Sequence, residues 1–366
     1  MDVAAYSIED ASERWWVDTT GAAVTPFLSW PWVRALRAVS HAGREPRVLK
    51  AEDGGRVAGV TALGRGSEKR AKVVRSRVAY FNESGDRELD RLLVEHNRVL
   101  AQPGREAEVL GAMLDYMVSR VRAWDEVSLG WMDRERWESL AASVSLGRLR
   151  PLVRESQTYY FVDLSAVDSL DAYLTLLRSN TRQQLRRAMR GFAESGPLEY
   201  AVAASPEQAL GWFEELEALH QDEWQRRGKP GAFASPRIQA FHRAFLPEAV
   251  PRGLAEIARV KAGDKTVGFL YNLSDGLTLY NYQSGLAYSH DSRLKPGFVA
   301  HALAIADAGQ RGLRRYDLLM GDSQYKRSLS TGQGEMVRVV LQKARLRFAI
   351  ERGMRRLRGR FVHGDQ

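Results

Sequence analysis

Asp322, Tyr325 and Lys326 stand close together, directly after the apolar stretch Arg315–Met320, which reads as a β-strand. A carboxylate can take a proton from an attacking amine, a phenol can return one to a leaving group, and an ammonium can hold a phosphate or carboxylate. The plainer reading makes Asp322 a helix cap with Tyr325 and Lys326 on an exposed turn, and Asp322 can serve as cap and base together. Upstream lies Arg293-Leu-Lys-Pro-Gly-Phe-Val-Ala300, between a strand candidate at 277–284 and a small-residue helix running to Gly312. The first amides of a helix have no partner inside it and suit a phosphate or pyrophosphate. Gly297, Phe298 and Val299 would supply those amides, and Arg293 and Lys295 would add charge. Adjacent strand ends of an α/β sheet are where ligands usually sit.

A second group of residues could hold an acceptor. Arg178, Arg182, Arg186 and Arg190 recur every four residues, a solvated basic face or a dock for phosphates, with Asn180 and Gln183 nearby. In the helical stretch 210–227, Phe213, Leu216, His220 and Trp224 share one face and Arg227 closes the last turn. Glu217-x-x-His220 has no second copy, so His220 reads as a satisfied core or substrate-lining histidine and no metal site is expected. In Tyr280-Asn-Tyr-Gln-Ser284, period-two alternation sets Tyr280, Tyr282 and Ser284 on one face and Asn281 and Gln283 on the other.

The elements that must position these groups follow from pattern and punctuation. Arg47–Val60 and Arg259–Leu270 both read as hairpins around a Gly/Asp turn, which suggests an internal duplication. The spacing predicts one helix over 170–194. Ser205-Pro206 and Ser235-Pro236 open two more, since a serine cap followed by proline suits a helix start. Strands are expected near 158–164, 277–284, 315–320 and 336–342, with a basic terminal helix over 343–360. The fold class is a mixed α/β sheet, cut into domains at 1–150 and 151–366.

With 366 residues, 44% hydrophobic and 27% charged, the chain has ample material for a core. The first 150 residues hold 23 basic and 22 acidic side chains; the remaining 216 hold 31 and 23. That uneven placement argues for local anion binding over a general nucleic-acid coat. The chain has no cysteine, which removes disulfides, thiolate catalysis and Cys-ligated zinc. It shows neither a long apolar run nor a signal-peptide pattern, so no membrane span and a cytoplasmic location are expected.

In its order of elements the chain resembles the GNAT-type acyltransferases, and more narrowly the double-GNAT proteins of cellulose and exopolysaccharide biosynthesis. The resembling pieces are Thr25-Pro-Phe-Leu-Ser-x-x-Trp32, Ser179-Asn-Thr-Arg-Gln-Gln-Leu-Arg-Arg187, Glu223-Trp-Gln-Arg-Arg-Gly228, Pro296-Gly297 and Asp317-Leu-Leu-Met-Gly-Asp-x-x-Tyr-Lys326. The resemblance implies tandem GNAT-like folds, the second holding acyl-CoA on the 293–299 loop and joining its acyl group to an amine of a small-molecule or sugar-derived acceptor. It also implies that Tyr325 protonates the departing thiolate. Asp322 as base and Lys326 as an orienting cation are inferred from the residues. The usual Arg/Gln-x-x-Gly-x-Gly/Ala loop is here Arg293-x-x-Pro-Gly-x-x-Ala300, one residue out of step. The acceptor would meet Arg182, Arg186, His220, Trp224, Arg227, Tyr280, Tyr282 and Gln283. The chain is also similar to the related Fem-type enzymes, which take aminoacyl-tRNA in place of CoA; tRNA would then lie on the 178–190 arginines and the tail. A non-catalytic binding module is the remaining alternative.

Overall fold

The structure is a computed structural model that describes residues 1–20, 25–70, 74–289, 291, 293–346 and 348. In chain order the elements begin with β1 (Asp2–Tyr6), α1 (Glu13–Thr20), α2 (Trp30–Val39), β2 (Arg47–Asp53), β3 (Arg56–Arg70), β4 (Val74–Phe81) and β5 (Leu100–Ala101). Next come α3 (Glu106–Arg120), β6 (Glu126–Asp133), α4 (Arg134–Ser143), β7 (Arg150–Asp163), α5 (Leu170–Leu176), α6 (Ser179–Ala193), β8 (Leu198–Val202), α7 (Pro206–Arg226) and α8 (Pro236–Ala249). The chain continues with β9 (Ala255–Ala262), β10 (Lys265–Ser274), β11 (Thr278–Leu286), α9 (Pro296–Gln310), β12 (Arg315–Met320), α10 (Gln324–Leu329) and β13 (Gly332–Gln342). The expected terminal helix lies almost wholly outside the described residues.

Two compact units emerge, one from the described parts of Met1–Gly21, Ser40–Ser156 and Val337–Gln366, the other from those of Ala22–Val39 and Gln157–Met336. This differs from a single cut at 150. The α2 segment joins the second unit because its aromatic residues are needed there: Trp32 is fully buried, edge-on to Phe241 at 4.8 Å and Phe245 at 5.3 Å.

Each unit uses the same topology. In the first, β2, β3 and β4 form an antiparallel meander, and α3 returns the chain to β6, parallel to β4 over Val78–Tyr80. In the second, β9, β10 and β11 form the meander, and α9 returns to β12, parallel to β11. Both hairpins form where Gly-bearing turns were expected. Gly54 and Gly55 hold φ of +55° and +77°, the geometry a two-residue turn between β2 and β3 demands.

The predicted helix over 170–194 divides. Leu177 and Arg178 are extended, and Arg178 becomes the N-cap residue of α6. Division lets each piece bury its own apolar side, Tyr173 and Leu174 in α5, Leu185 and Ala188 in α6. The serine caps form as expected, with Ser205 accepting from the Gln208 amide and Ser235 from that of Ile238. Around α9 the second unit's core closes on Ala300, Ala302, Ala304, Ile305 and Ala308, which lets the strands approach closely. No described helix is long and apolar enough to cross a membrane.

The first unit carries a polar interior. Glu83 is buried, and burial pushes its carboxyl up to about 7, opposed by the Arg338 guanidinium at 3.8 Å. Between its ordinary value of 4.5 and about 7 the folded protein keeps a proton that the unfolded chain has lost, so stability falls as pH rises through that window. Glu83→Gln should therefore raise the melting temperature at pH 8 and change it little at pH 5. Calorimetric scans at the two pH values check this; an equal shift at both would exclude an ionising Glu83.

Candidate active site at the parting of two strands

β11 and β12 pair only over Thr278–Tyr280 and Arg315–Asp317. Beyond that point β11 stays with β10 as far as Leu286 opposite Gly268, and β12 meets β7 at Met320 opposite Tyr159. The strands therefore part at their C-terminal ends. Two irregularities accompany the parting. The β10–β11 register slips by one residue at Tyr282, which breaks the alternation expected over 280–284. In β12, Leu319 holds φ of +61°, and buried Asp317 accepts the Leu319 N–H at 2.8 Å. A left-handed leucine costs on the order of 1 kcal/mol or more and persists only where its surroundings impose it.

α9 begins at the same end of the sheet. Pro296 occupies its first turn and has no N–H, while the Val299 amide donates to the Lys295 carbonyl at 3.1 Å. The helix leaves the amides of Gly297 and Phe298 without an intrahelical partner. The charges expected beside them are engaged: Arg293 donates to Asp291 at 2.9 Å, and Lys295 donates to Gln184 of α6 at 2.6 Å. Val299 and Phe298 direct their side chains at the core. Of the expected cradle, two amides are left by the helix itself, and Val299 is a core residue.

Asp322 lies in the loop after β12, with its side chain 55% exposed. Its Oδ1 accepts from the Tyr160 hydroxyl at 2.8 Å and from Arg327, and the Tyr160 bond, followed by the Arg327 charge, holds the carboxyl below its ordinary value. A carboxylate so held is a poor base. Nor is it a cap, since Ser323 is the residue at the start of α10. Lys326 Nζ donates to the Leu319 and Met320 carbonyls, tying down the irregular end of β12. Tyr325, in α10, keeps its hydroxyl out of these contacts. Its ring stacks on His301 at 5.8 Å while 38% of the residue stays exposed; the crowding of its hydroxyl, with Tyr288 nearby, raises its pKa, and it is protonated at neutral pH. His301 is itself buried and neutral, driven down to about 3 by burial and by Lys326, and shares a 2.9 Å hydrogen bond with the Tyr316 hydroxyl. Tyr288 and His301 carried no signal in sequence: one follows a strand in a loop, and the other sits in a helix of core-like residues.

The acceptor candidates separate. His220 is a clamp: its Nε2 accepts from the Ala232 amide at 3.1 Å, so Nδ1 donates to the Ser284 carbonyl at 2.9 Å. Both nitrogens are committed, and burial lowers its pKa. Tyr280 is buried, donates to Asp275 at 2.8 Å and packs edge-on to Phe27. Tyr282 belongs to the aromatic layer of Phe27, Trp32, His242 and Tyr271. Gln283, half-buried, lies opposite Tyr271 in the ladder. Trp224 and Tyr288 both receive the Arg227 guanidinium on their rings, at 5.8 and 5.7 Å, while Arg227 pairs with Glu223. Arg182 is half-buried and Arg186, exposed, approaches Asp171 at 3.8 Å, both on α6. Tyr288, Arg227 and Trp224 thus form one cluster, near enough for Tyr288 to act electrostatically on Tyr325, whereas His220 and Tyr280 are fixed within the fold. Among the described residues no group of three or more His, Asp or Glu is arranged to hold a metal ion.

Residues 179–327 match the family model for the acetyltransferase (GNAT) domain. This stretch is a GNAT-type acyltransferase domain. It spans α6 to α10 and contains the parting of β11 and β12. The whole chain has a mixed α/β fold of two GNAT-like repeats. It is similar in fold to FemX, with a TM-score of 0.56 at 13% identity, covering 92% of this chain and 97% of that one. It is similar also to L-PGS from Bacillus licheniformis, with a TM-score of 0.51 at 13% identity over 85% and 88%. The C-terminal domain of a lysylphosphatidylglycerol synthetase from Agrobacterium fabrum gives 0.51 at 10% identity over 86% and 92%. At such identities the likeness is one of fold. No curated protein sequence matches the chain.

His220→Ala in the GNAT domain would leave the Ser284 carbonyl and the Ala232 amide without their partner. The expected loss is roughly 2–4 kcal/mol of unfolding free energy, from two unmade buried hydrogen bonds. Urea titration measures it; a change below about 0.5 kcal/mol would return His220 to the list of substrate-lining side chains.

Proposed function

We propose that the GNAT domain transfers an acyl group from acyl-CoA to the amine of a small-molecule or sugar-derived acceptor, in the cleft where β11 leaves β12. The observation that carries this reading is the strand parting together with the α9 N-terminus at the same end of the sheet. The backbone of β11 beyond Tyr280 is released from pairing with β12, so its amides are placed to bind the thioester carbonyl and the oxyanion formed on it. Gly297 and Phe298 supply the amides for the pyrophosphate. An acyl-CoA donor sets the reaction in the cytoplasm, where such thioesters are made.

The chemistry divides among few groups. The amine nitrogen forms a bond to the carbonyl carbon, the carbon–sulfur bond breaks, and Tyr325 gives its proton to the departing thiolate. The phenol carries its proton at neutral pH, and its raised pKa makes it a weak acid that can give the proton only to a thiolate as the carbon–sulfur bond breaks. Asp322, ionised and held by Tyr160 and Arg327, attracts the acceptor as an ammonium ion, which sheds one proton to water before attack and a second after it, while water returns a proton to the Tyr325 phenolate. Lys326 positions the end of β12 by its two carbonyl contacts. Trp224 and Tyr288, bridged by Arg227, form the wall against which the acceptor rests.

A second reading has its own support. α6 has four arginines and no acidic residue, and Arg178 precedes it. Arg178, Arg182 and Arg190 make no side-chain hydrogen bond or ion pair among the described residues. The row from 178 to 190 is about 18 Å long at the helical rise, longer than a pyrophosphate. Such a row suits an extended polyanion and so favours the aminoacyl-tRNA donor that the Fem-type resemblance implies.

Calorimetry separates the donors. Acetyl-CoA should bind saturably, and Gly297→Pro, which deletes one amide at a position where a helix accepts proline, should weaken it about tenfold. Absence of heat with acetyl-CoA and longer acyl-CoAs at millimolar concentration, with tRNA binding that falls steeply as salt rises, would replace CoA by aminoacyl-tRNA. Tyr325→Phe should lower kcat by about a hundredfold while leaving donor affinity unchanged; an unchanged kcat would remove Tyr325 as the acid.

A further inference from the structure

In the first unit, β4 and β6 pair in parallel only over Val78–Tyr80 and Glu126–Ser128, the counterpart of the short pairing between β11 and β12. Beside that point lies a pocket of about 590 Å³ walled by Glu68, Tyr80, Arg87, Asp90, Arg154 and Arg338. Its volume falls within the range of small-molecule sites.

The polar groups of this pocket are unevenly satisfied. Two of its acids are provided for, while Glu155 stands exposed on the wall: Glu68 accepts from the Tyr80 hydroxyl at 2.9 Å and from Arg154 at 3.3 Å. Asp90 accepts from the Ser84 hydroxyl at 2.7 Å and from the Ser84 and Gly85 amides at 3.1 Å. The guanidiniums keep donors in hand. Arg154, its side chain only 10% exposed, donates to Glu68 and Glu126, yet its buried Nε has no partner. Arg338 approaches Glu83 at 3.8 Å, beyond hydrogen-bond reach. Arg87 is exposed on the pocket wall and makes no hydrogen bond or ion pair among the described residues. A guanidinium presents five N–H donors in a planar fork that matches carboxylate and phosphate oxygens.

We infer that the pocket of the first unit binds a small molecule through its oxyanion, a carboxylate or phosphate held by Arg87, Arg154 and Arg338. Glu68 and Asp90 are already engaged and Glu155 is turned to solvent, so the spare guanidinium donors of Arg87, Arg154 and Arg338 are the groups an oxyanion would satisfy. The site is separate from the GNAT domain's cleft and does not depend on which donor that cleft uses.

The test is calorimetric titration of the full-length protein with inorganic phosphate and with citrate, at constant ionic strength. One equivalent of at least one probe should bind saturably. Arg87→Gln and Arg338→Gln should each weaken it about tenfold, the effect of losing one charge-assisted hydrogen bond. Arg136→Gln, on exposed α4 outside the pocket, should leave it unchanged, and circular dichroism verifies that the variants fold. Preference for citrate identifies a carboxylate ligand and preference for phosphate a phosphorylated one. Absence of saturable binding by either probe, undiminished binding by folded Arg87→Gln, or equal weakening by Arg136→Gln would overturn the inference.

Discussion

The second unit turns on a backbone constraint: β11 and β12 exchange hydrogen bonds over three residues and then separate. Strand edges without a ladder must find other partners, because buried backbone groups are costly to leave unpaired. The protein holds the two edges apart from both sides. On the β11 side, α7 packs so closely that a Cβ at Gly285 would fall 2.3 Å from the Leu216 carbonyl. One turn further along α7, His220 takes the Ser284 carbonyl. On the β12 side, Asp317 fixes the left-handed Leu319, and Lys326 takes the carbonyls at the strand end. Three side chains, His220, Asp317 and Lys326, hold the gap, each through hydrogen bonding to the backbone around it.

This division of labour reassigns residues that look catalytic. Lys326 and His220 have the functional groups of an orienting cation and a base, but their hydrogen bonds commit them to the scaffold. Asp322 is ionised, exposed and doubly held, which suits attraction of a cation better than acceptance of a proton. Tyr325 remains the proposed proton donor because it stacks on His301 and no hydrogen bond among the described residues commits its hydroxyl to the scaffold; His301 itself is kept neutral by burial. On the proposed reading, Tyr325 is the acid and none of the candidate residues is placed as a strong base, so the acceptor amine loses its proton to water.

Much of the fold was legible in the chain. Ser205-Pro206, Ser235-Pro236 and Pro296-Gly297 mark helix starts by rules local to four residues, and the Gly-bearing turns mark the hairpins. What could not be read depends on distant partners. Nothing near Lys295 signals that Gln184 of another helix would absorb its charge, nor does Thr25–Trp32 reveal that its aromatics complete a core begun over a hundred residues later. The slip at Tyr282 defeats alternation because a bulge is a property of two strands. The pocket of Arg87, Arg154 and Arg338 draws on three separate strands and loops, and no local motif announces it.

The central claim is that the donor occupies the gap between β11 and β12 with its phosphates on the first amides of α9. Hydrogen–deuterium exchange, read by mass spectrometry with and without saturating acetyl-CoA, tests this at the backbone groups involved. Protection confined to peptides covering 281–288 and 296–299 is the predicted result. Unchanged exchange in both, or protection appearing only along α6, would contradict it.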